Sequence, residues 1–442
     1  MLPRAGQRVT VMGLGRFGGG LGVARWLHAH GARVLVTDLA DASALAGPLA
    51  QLPPGVRTRL GGHERRDFVD SDLVVASPAV ARPWEHPCLL AAADAGVPIT
   101  TEIGLLVATL PDRTRVIGIT GTAGKSTTSA MAAGALGAAG QRVHLGGNIG
   151  GSLLGADIGP ADFVVLELSS FMLHWLGRQR WSPGTAVVTN LSPNHLDWHG
   201  TMEHYEHSKR HIAQHQRPGD LLMGDRWPEL VFATRVAPCD DLPPLALPGG
   251  HNRANAAMAL AAAAATLERH GFARDRGAMA EAVAGFAGLP HRLQRVAEHA
   301  GVTFYNDSKC TTPQAVVLAV DAIADRTPRE RIHLIAGGAD KGVDLSAIAE
   351  LSRTVAHVHT IGATGPRLVE MAHALGGRAT HHGTLEPAFH AAADGCPPGG
   401  AVLLSPGCAS WDQFPNYEAR GALFVDCVLR RIAGGVPEQP GR

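Results

Sequence analysis

The chain has 442 residues, and its 39 lysines and arginines balance its 39 aspartates and glutamates. This length predicts roughly two to four domains, and a content of 45% hydrophobic and 18% charged residues is ordinary for a globular protein. The neutral balance argues against a nucleic-acid partner and against binding to a membrane surface. Six scattered cysteines without a Cys-x-x-Cys pair argue against a disulfide scaffold or a zinc knuckle and favour a reducing compartment.

The apolar stretches of the sequence are too short for a membrane span. The longest, Ala254 to Leu267, is bounded by charged residues and falls short of the roughly 20 residues that a spanning helix needs. Near the N-terminus only the short run Val9 to Met12 is apolar, which predicts a strand rather than a signal peptide. We therefore expect a cytoplasmic protein with no membrane partner.

The first strand, Val9 to Met12, runs into a glycine cluster. Gly13, Gly15 and Gly18 match the G-x-G-x-x-G pattern, and Asp38 ends the next strand. This pattern alone favours a nicotinamide or flavin dinucleotide. A diphosphate sugar nucleotide fits equally well, because backbone amides and a helix dipole do not recognise the nucleoside. A glycine turn without a ligand is the third interpretation.

Strands alternate with helical patterns along the whole chain, which predicts parallel sheets covered by helices. The sequence predicts strands at Arg33–Asp38, Asp72–Val80, Phe163–Ser170 and Thr185–Ser192, helices at Met202–His215 and His251–His270, and further strands after Leu289. We place domain boundaries near residues 110 and 288, which divides the chain into segments 1–110, 111–288 and 289–442.

The second segment opens with the strongest local motif, the letters GITGTAGKST. Consecutive backbone N–H groups of such a glycine turn face an anion, and the helix that follows adds partial positive charge. We expect Lys125 to reach the β- and γ-phosphates of ATP and the Ser126 hydroxyl to bind Mg²⁺. Ile119 stands where the strict pattern has glycine, and Gly121 replaces it. The alternative is a structural turn with an incidental lysine.

Polar side chains follow the next two strands of this segment. Glu167 ends an otherwise apolar strand, and His195 and Asp197 follow the strand after it. The carboxyl ends of parallel strands meet at the edge of a sheet where ligands bind, so Glu167 and His195 fit a second Mg²⁺ shell. For His195 taken alone, an ordinary loop histidine is the more common interpretation.

The predicted helix Met202–His215 is rich in histidine. His204, His207, His211 and His215 have spacings that suit a zinc site, but no cysteine or paired acid completes a ligand set. The sequence therefore favours a solvated helix face. On chemistry alone, Lys209 on the same helix is interpreted as a surface charge.

The third segment carries lysines near strand ends. Asp307 and Lys309 follow one predicted strand, Lys341 lies in a glycine turn, and small polar residues follow the strand AVLL. Each lysine taken singly is more often structural. Together, at strand ends of one sheet, they indicate an anionic substrate.

In chain order, the motifs resemble those of the Mur ligases, and most closely those of the members that add glutamate to UDP-N-acetylmuramoyl-L-alanine. The motifs that carry the resemblance are GTAGKSTT, LGGNIG, ELSSF, NLSPNHLDWHGT, GGHNRANA, LPHR, NDSK, AGGADKG and LLSPGCASWDQF. The resemblance implies an α/β protein of three domains. They would be a Rossmann-like domain for the UDP moiety (1–110), a central P-loop ATPase domain (111–288) and a Rossmann-like, amino-acid-binding domain (289–442).

The resemblance also implies roles for individual residues. Residues at the ATP would be Gly121, Thr122, Gly124, Lys125, Ser126, Thr127, Asn252, Asn255, Arg292, Asp307 and Lys309. Magnesium ligands would be Ser126, Glu167, His195 and Lys209, with Lys209 carbamylated by CO₂, and the catalytic residues Lys125, Glu167, His195 and Lys209. Residues at the sugar nucleotide would be Gly15, Thr37, Asp38 and Asn148, and those at the glutamate Thr311, Lys341, Ser410 and Tyr417.

The implied reaction is ATP-dependent amide-bond formation through an acyl phosphate, with D-glutamate favoured and a monomer expected. Ala123, Asn194 and Cys310 stand where asparagine, aspartate and alanine are frequent in the family, and none of these changes removes a catalytic group. Ligases that accept L-glutamate, other Mur-type enzymes and folylpolyglutamate synthases share the scaffold. An NAD(P)-dependent oxidoreductase would leave the phosphate loop unexplained. A nucleotide-regulated binding protein would not need the four catalytic residues together.

Overall fold

The computed structural model describes residues 2–15, 19–230, 232–239, 241–272, 275–340 and 342–434. The chain forms two compact units, residues 1–242 with 254–283 and residues 243–253 with 284–442. The first unit contains two β-sheets and the second contains one. The predicted α/β class is confirmed, and each of the three predicted segments contains one sheet. The domain boundaries near residues 110 and 288 fall between the sheets and stay predictions.

The first sheet is parallel, with strand order β3-β2-β1-β4-β5. Its strands are β1 Arg8–Met12, β2 Arg33–Asp38, β3 Arg57–Leu60, β4 Leu73–Ala76 and β5 Ile99–Thr100, and its helices are α1 Gly19–Ala29, α2 Ala46–Leu49, α3 Arg65–Val69, α4 Pro87–Asp94 and α5 Glu102–Thr109. β1 after Arg8 and the whole of β4 are buried, as expected for strands of a parallel sheet with helices on both faces. The strand order reverses between β1 and β4, so a crevice forms at the carboxyl end of β1.

The second sheet is also parallel, with order β11-β10-β9-β6-β8-β7. Its strands are β6 Val116–Thr120, β7 Val143–Gly147, β8 Phe163–Glu167, β9 Thr185–Val188, β10 Leu221–Met223 and β11 Thr234–Arg235. Its helices are α6 Lys125–Ala138, α7 Ser170–Arg178, α8 Leu196–His199, α9 Met202–Gln214, α10 Gly250–Arg269 and α11 Arg276–Ala284. The reversal of strand order places the carboxyl ends of β8 and β9 on either side of β6.

The third sheet has order β12-β13-β17-β14-β15-β16. Its elements are β12 Gln294–His299, β13 Val302–Asn306, β14 Ile332–Gly337, β15 His357–Ile361, β16 Ala379–Gly383 and β17 Ala401–Leu404, with α12 Pro313–Ala324, α13 Ser346–Leu351, α14 Gly365–Ala374, α15 Leu385–Gly395 and α16 Tyr417–Ile432. One edge differs from the predicted parallel sheet, because β12 pairs antiparallel with β13. The two-residue turn Ala300–Gly301, with φ of 51° and 76°, is too short for a parallel crossover.

Several predicted strands are shorter than their apolar runs suggested. The runs ending at Val80, Ser170 and Ser192 leave the sheet at Ala76, Glu167 and Val188. The residues beyond these points form the loops at the carboxyl edge. Among the described helices, none is both long and apolar enough to cross a membrane.

Candidate active site

The loop between β6 and α6 has the geometry of a phosphate cradle. Gly121 and Gly124 have φ of 148° and 81°, which side chains with a Cβ rarely adopt, and α6 begins at Lys125. A Cβ on Gly124 would collide with the Asn255 side chain. Lys125 Nζ donates to the carbonyl oxygens of Gly121 and Thr122 at 3.1 and 2.9 Å. The predicted strand, loop and helix are therefore in place, with the lysine over the loop.

The loop that follows β9 supports the phosphate loop through contacts that the sequence did not reveal. Asn190 Oδ1 accepts the Ala123 N–H at 2.9 Å, and Asn190 Nδ2 donates to the Ala123 carbonyl at 3.1 Å. The Thr122 hydroxyl pairs with Tyr205 Oη at 3.0 Å and donates to the Ser192 carbonyl at 3.0 Å. Because Ala123 is held through its backbone, the absence of an asparagine side chain there leaves the loop intact.

Glu167 at the end of β8 is buried and only half-satisfied. Its Oε1 accepts from Asn148 Nδ2 at 2.8 Å, and the Asn148 N–H donates to the Glu167 carbonyl at 2.9 Å. Its Oε2 is buried and has no hydrogen-bond partner among the described residues. A buried carboxylate oxygen without a donor is costly unless a cation or a ligand occupies the space beside it. This arrangement fits the predicted magnesium ligand and joins it to Asn148.

Lys209 is buried, contrary to the surface position that its chemistry suggested. It is 1% exposed, and its Nζ donates to the Gly121 carbonyl at 2.7 Å and to Thr120 Oγ1 at 3.2 Å. Burial, followed by repulsion from Lys125, lowers its pKa well below the usual value, while Glu167 opposes the shift. The signal was present in the sequence, since Lys209 shares the buried helix face with Tyr205 and Ile212 at spacings of four and three residues.

His195 lies on the αL backbone that begins α8, with φ of 53°. Burial, with help from Lys125 and Lys209, lowers its pKa, whereas Asp197 raises it. The imidazole is therefore neutral near pH 7 and has a lone pair for a metal ion. Throughout the part of the chain that the structure describes, no three side chains of His, Cys, Asp or Glu gather to hold a metal ion. Glu167 and His195 can serve only a cation that keeps water or phosphate ligands, as Mg²⁺ does.

The histidine-rich helix α9 is not the solvated face that its sequence suggested. His207 is exposed, but His204, His211 and His215 are half-buried. His211 lies against Gly177 of α7, and burial lowers its pKa to about 4. His211 is buried because α7 packs closely on α9. The polar sequence of α9 does not predict this packing.

Asp38 holds the first glycine turn in place. In a dinucleotide site, the same acid would bind the ribose hydroxyl groups. Asp38 Oδ2 accepts the N–H groups of Leu14 and Gly15 at 2.8 and 3.1 Å, and its Oδ1 accepts that of Ala40 at 2.9 Å. A Cβ on Gly20 would collide with the Gly13 carbonyl, so α1 packs closely on the turn at Gly20. Gly18, the third glycine of the predicted pattern, lies outside the described residues.

A cavity of about 710 Å³ opens beside this turn within the first unit. The loop 13–15 lines it from one side, and Gly147 at the end of β7 lines it together with Asn148 and Ser152 from the loop that follows. Thr37 does not line it; this residue is buried, and its Oγ1 lies 3.0 Å from His63 Nδ1. The predicted diphosphate loop and Asn148 therefore share one cavity.

In the second unit, three of the predicted ATP-site residues line a cavity of about 270 Å³, together with Cys310 and apolar side chains of α12. Its predicted lining residues are Arg292, Asp307 and Lys309. Asp307 accepts the Leu293 N–H at 3.0 Å and the Ser405 hydroxyl at 2.8 Å, and burial raises its pKa to about 6. Asn252 is buried and donates to the Pro248 carbonyl at 2.5 Å.

Of the predicted glutamate residues, Thr311 and Ser410 lie in loops that follow β13 and β17 at the carboxyl edge of the third sheet, and Tyr417 is the first residue of α16. Thr311 is exposed, Ser410 is buried, and the Tyr417 ring lies 5.4 Å from Lys309 Nζ. Lys341 lies outside the described residues. Arg420, which the sequence analysis missed, is buried and donates to the carbonyls of Ser308, Cys408 and Ala409. It joins the two loops, but an arginine in a helix is ordinarily interpreted as a surface charge.

The sequence matches family profiles over all three sheets. Residues 7–101 match the Mur ligase MurD-like N-terminal domain, 119–224 the Mur ligase middle domain, and 291–408 the Mur ligase glutamate ligase domain. The phosphate loop, the acid at the end of β8 and the cavity beside the first glycine turn therefore place the chain in a known class of nucleotide-dependent enzymes. The chain is a member of the Mur ligases, a family of ATP-dependent amide-bond ligases.

Within this family, the chain is similar to curated proteins named UDP-N-acetylmuramoylalanine–D-glutamate ligase. That from Geobacter metallireducens is 38% identical over 99% of this chain and 99% of its own length, and that from Gloeobacter violaceus is 38% identical over 94% and 97%. The crystal structure of UDP-N-acetylmuramate–alanine ligase from Thermotoga maritima matches with a TM-score of 0.58 at 19% identity, covering 96% of this chain and 100% of that one. MurF ligase from the same organism, in complex with ADP, gives 0.54 at 15% identity over 98% and 96%. These two likenesses show the fold.

Proposed function

We propose that this protein adds glutamate, with D-glutamate preferred, to UDP-N-acetylmuramoyl-L-alanine at the expense of ATP, in the synthesis of the peptidoglycan precursor. The observation that carries the proposal is a phosphate loop beside a buried, half-satisfied carboxylate, Glu167, in a chain that aligns end to end with ligases of that name. The protein would act in the cytoplasm on small-molecule substrates. A monomer is expected, since the chemistry proposed here needs one chain.

The chemistry follows from the weakness of a carboxylate as an acyl donor. The alanyl carboxylate attacks the γ-phosphorus of ATP, ADP leaves, and an acyl phosphate forms. Lys125 would stabilise the charge on the phosphoryl oxygens, and Asn148 would hold the substrate beside Glu167. The glutamate amine then attacks the acyl carbon, and inorganic phosphate leaves.

Magnesium ions fit the described side chains of the first unit. Ser126, Glu167 and His195 would hold them, because the Glu167 Oε2 oxygen lacks a donor and the His195 imidazole is neutral. When bound, Mg²⁺ neutralises negative charge on phosphate oxygens. In the second unit, Arg292, Asp307 and Lys309 line a cavity that would accept part of the ATP.

Lys209 would complete the metal site as a carbamate. An ammonium beside a cation is repelled, whereas a carbamate carries a negative charge and two oxygen ligands. Carbon dioxide reacts with the neutral amine. Burial lowers the pKa of Lys209 and so increases the fraction of neutral amine. The chain has only four lysines among its 39 lysines and arginines. Lysine at position 209 is notable in such a chain, because arginine cannot form this carbamate.

Thr311, Lys341, Ser410 and Tyr417 would hold the incoming glutamate. Two of its groups are carboxylates, which suits hydroxyl donors and a lysine. Thr37 and Asp38 would lie at the uracil, and Gly15 at the diphosphate. Asp38 would act by fixing the glycine turn, since both its oxygens accept backbone N–H groups.

The reaction itself supplies the main test. With ATP, Mg²⁺ and UDP-N-acetylmuramoyl-L-alanine, we expect phosphate release only when an amino acid acceptor is added, and fastest with D-glutamate. L-Glutamate, D-aspartate and D-alanine serve as matched controls for stereochemistry, chain length and the side-chain carboxylate. A product whose mass equals the two substrates less water must accompany the phosphate. Equal rates with L-glutamate would contradict the stereochemical proposal, and no product with any amino acid would contradict the ligase.

The first glycine turn gives a second expected result. UDP-N-acetylmuramoyl-L-alanine should bind the chain in a calorimetric titration, whereas NAD(H) and NADP(H) should give no heat of binding. The reason is that Asp38, the acid expected on an adenosine ribose, is already used by three backbone N–H groups. Tight dinucleotide binding that competes with the sugar nucleotide would restore the oxidoreductase interpretation.

A further inference from the structure

The cavity of about 710 Å³ in the first unit contains an acid to which the proposed chemistry gives no role. Its described polar lining side chains are Ser77, Glu102, Asn148 and Ser152. Among the described lining residues, Glu102 is the only ionisable one. No described lysine or arginine lines this cavity to balance it.

The Glu102 carboxylate is held by one neighbour and open on its other side. Glu102 is the first residue of α5, which Thr101 caps, and its Oε1 accepts from Ser152 Oγ at 2.5 Å. Ser152 Oγ in turn accepts the Leu154 N–H at 3.1 Å, which leaves its proton for Glu102. The second oxygen, Oε2, accepts no hydrogen bond from the described residues. The side chain is therefore fixed in position with one acceptor available to a ligand.

The charges in the cavity indicate which kind of ligand group can lie beside Glu102. A diphosphate held by the backbone of the glycine turn brings two negative charges into a space without a described cation. A carboxylate beside it is unfavourable unless a ligand group donates a hydrogen bond to it. Burial already raises the pKa of Glu102, although the Ser152 hydroxyl opposes the shift. The position beside Glu102 therefore suits a hydrogen-bond donor on the ligand and not a second anion.

The position of the cavity identifies the part of the ligand. Thr37 and Asp38, the residues proposed for uracil, do not line it, whereas the diphosphate loop 13–15 and Asn148 do. In UDP-N-acetylmuramoyl-L-alanine the amino sugar connects the diphosphate to the alanyl carboxylate. We propose that Glu102, held by Ser152, accepts a hydrogen bond from a hydroxyl or amide N–H of that amino sugar. This inference rests on the proposed function and adds a specificity-determining residue to it.

The decisive variant is Glu102→Gln. Its carbonyl oxygen still accepts from Ser152, but an NH₂ donor replaces the open acceptor and faces the donor on the sugar. The KM for UDP-N-acetylmuramoyl-L-alanine should rise about 10- to 100-fold, the usual effect of losing a hydrogen bond to a charged group. kcat and the KM values for ATP and glutamate should stay within about twofold. The matched control is Glu85→Gln, which changes an exposed carboxylate outside the cavity and should alter none of these values.

Two further readouts separate recognition of the sugar from a structural role. UDP lacks the sugar, so its inhibition constant should be the same for the wild type and Glu102→Gln. Acidification should raise the wild-type KM toward that of the variant, because a protonated Oε2 donates instead of accepting. Ser152→Ala should raise the same KM by a smaller factor, which tests the arrangement independently if Glu102→Gln does not fold.

A change in KM below threefold, or an equal loss of affinity for UDP, would overturn the inference. Direct titration of the full chain with UDP-N-acetylmuramoyl-L-alanine separates its failure from that of the proposed function. If the wild type binds this compound but forms no product, the ligase proposal fails. Binding by Glu102→Gln then still tests the inference: weakened binding supports it, and unchanged binding contradicts it. A wild-type chain that binds neither UDP nor the sugar nucleotide would overturn both.

Discussion

Replacing Lys125 with alanine is expected to reduce kcat/KM for amide formation by a factor on the order of 10³ or more. The lysine lies over the phosphate loop, with its Nζ 2.9 Å from the Thr122 carbonyl, where it would meet the transferring phosphoryl group. Phosphate release measured with saturating UDP-N-acetylmuramoyl-L-alanine and glutamate gives the effect directly. The loss should persist at high ATP, because the missing charge stabilises the transition state and not only the bound nucleotide.

The fold should survive this change. The hydrogen bonds that Lys125 Nζ donates to Gly121 and Thr122 lie within its own loop, and the buried residues of α6 pack through other side chains. The melting temperature should therefore stay within a few degrees of the wild-type value. Arg217→Ala, which removes an exposed cation from the same unit, serves as the control and should keep full activity. Activity of Lys125→Ala within tenfold of the wild type would contradict the phosphate-loop assignment.

Replacing Lys209 with alanine should cost about 10²-fold or more in kcat, and added acetate should restore part of the loss. The alanine variant vacates a space next to Thr120 and Gly121 in which a small carboxylate would take the place of the carbamate. Lys209→Arg is the matched control, because it keeps the positive charge but cannot react with CO₂, and acetate should not rescue it. Initial rates at rising acetate concentration, with chloride as the salt control, measure the effect.

The carbamate also has a readout that does not depend on activity. In bicarbonate enriched in ¹³C, the wild-type chain should show a carbamate carbon signal, and Lys209→Ala should not. The sign of the pKa shift agrees, since a lowered pKa leaves more neutral amine at pH 7, and only the neutral amine reacts. Full activity of Lys209→Ala, or the absence of the carbon signal in an active wild type, would show that Lys209 serves only as a buried structural residue.

The phosphate loop could be predicted from the sequence because all its determinants are consecutive. An apolar strand, the glycines Gly121 and Gly124, and the start of α6 at Lys125 occupy one continuous stretch, and their conformations follow from local chemistry. The order of motifs along the chain was enough to suggest the family, and the profile matches confirmed it. The roles of the individual site residues in both units stay predictions, because no comparison tests them.

Predictions about burial were wrong where the burial of a helix face depends on the elements that pack against it. Lys209 and His211 were interpreted as solvated because α9 is polar on average, yet Lys209 is buried against the end of β6 and His211 packs against Gly177 of α7. The antiparallel pairing of β12 with β13 depended on a two-residue turn at Ala300 that no motif marks. In each case the deciding contact lies far away in sequence or within a turn of ordinary residues.

The sequence by itself determined the chemistry that is available to this protein: a phosphate loop, acids at strand ends and lysines in glycine turns. Only the tertiary structure decided how those groups are used. It commits Asp38 to the first glycine turn, leaves Glu167 Oε2 without a donor, buries Lys209 beside Thr120 and leaves one oxygen of Glu102 open to a cavity. The physical reason is that hydrogen-bond satisfaction and pKa depend on groups brought together from distant strands, whereas local sequence fixes only strand, turn and helix.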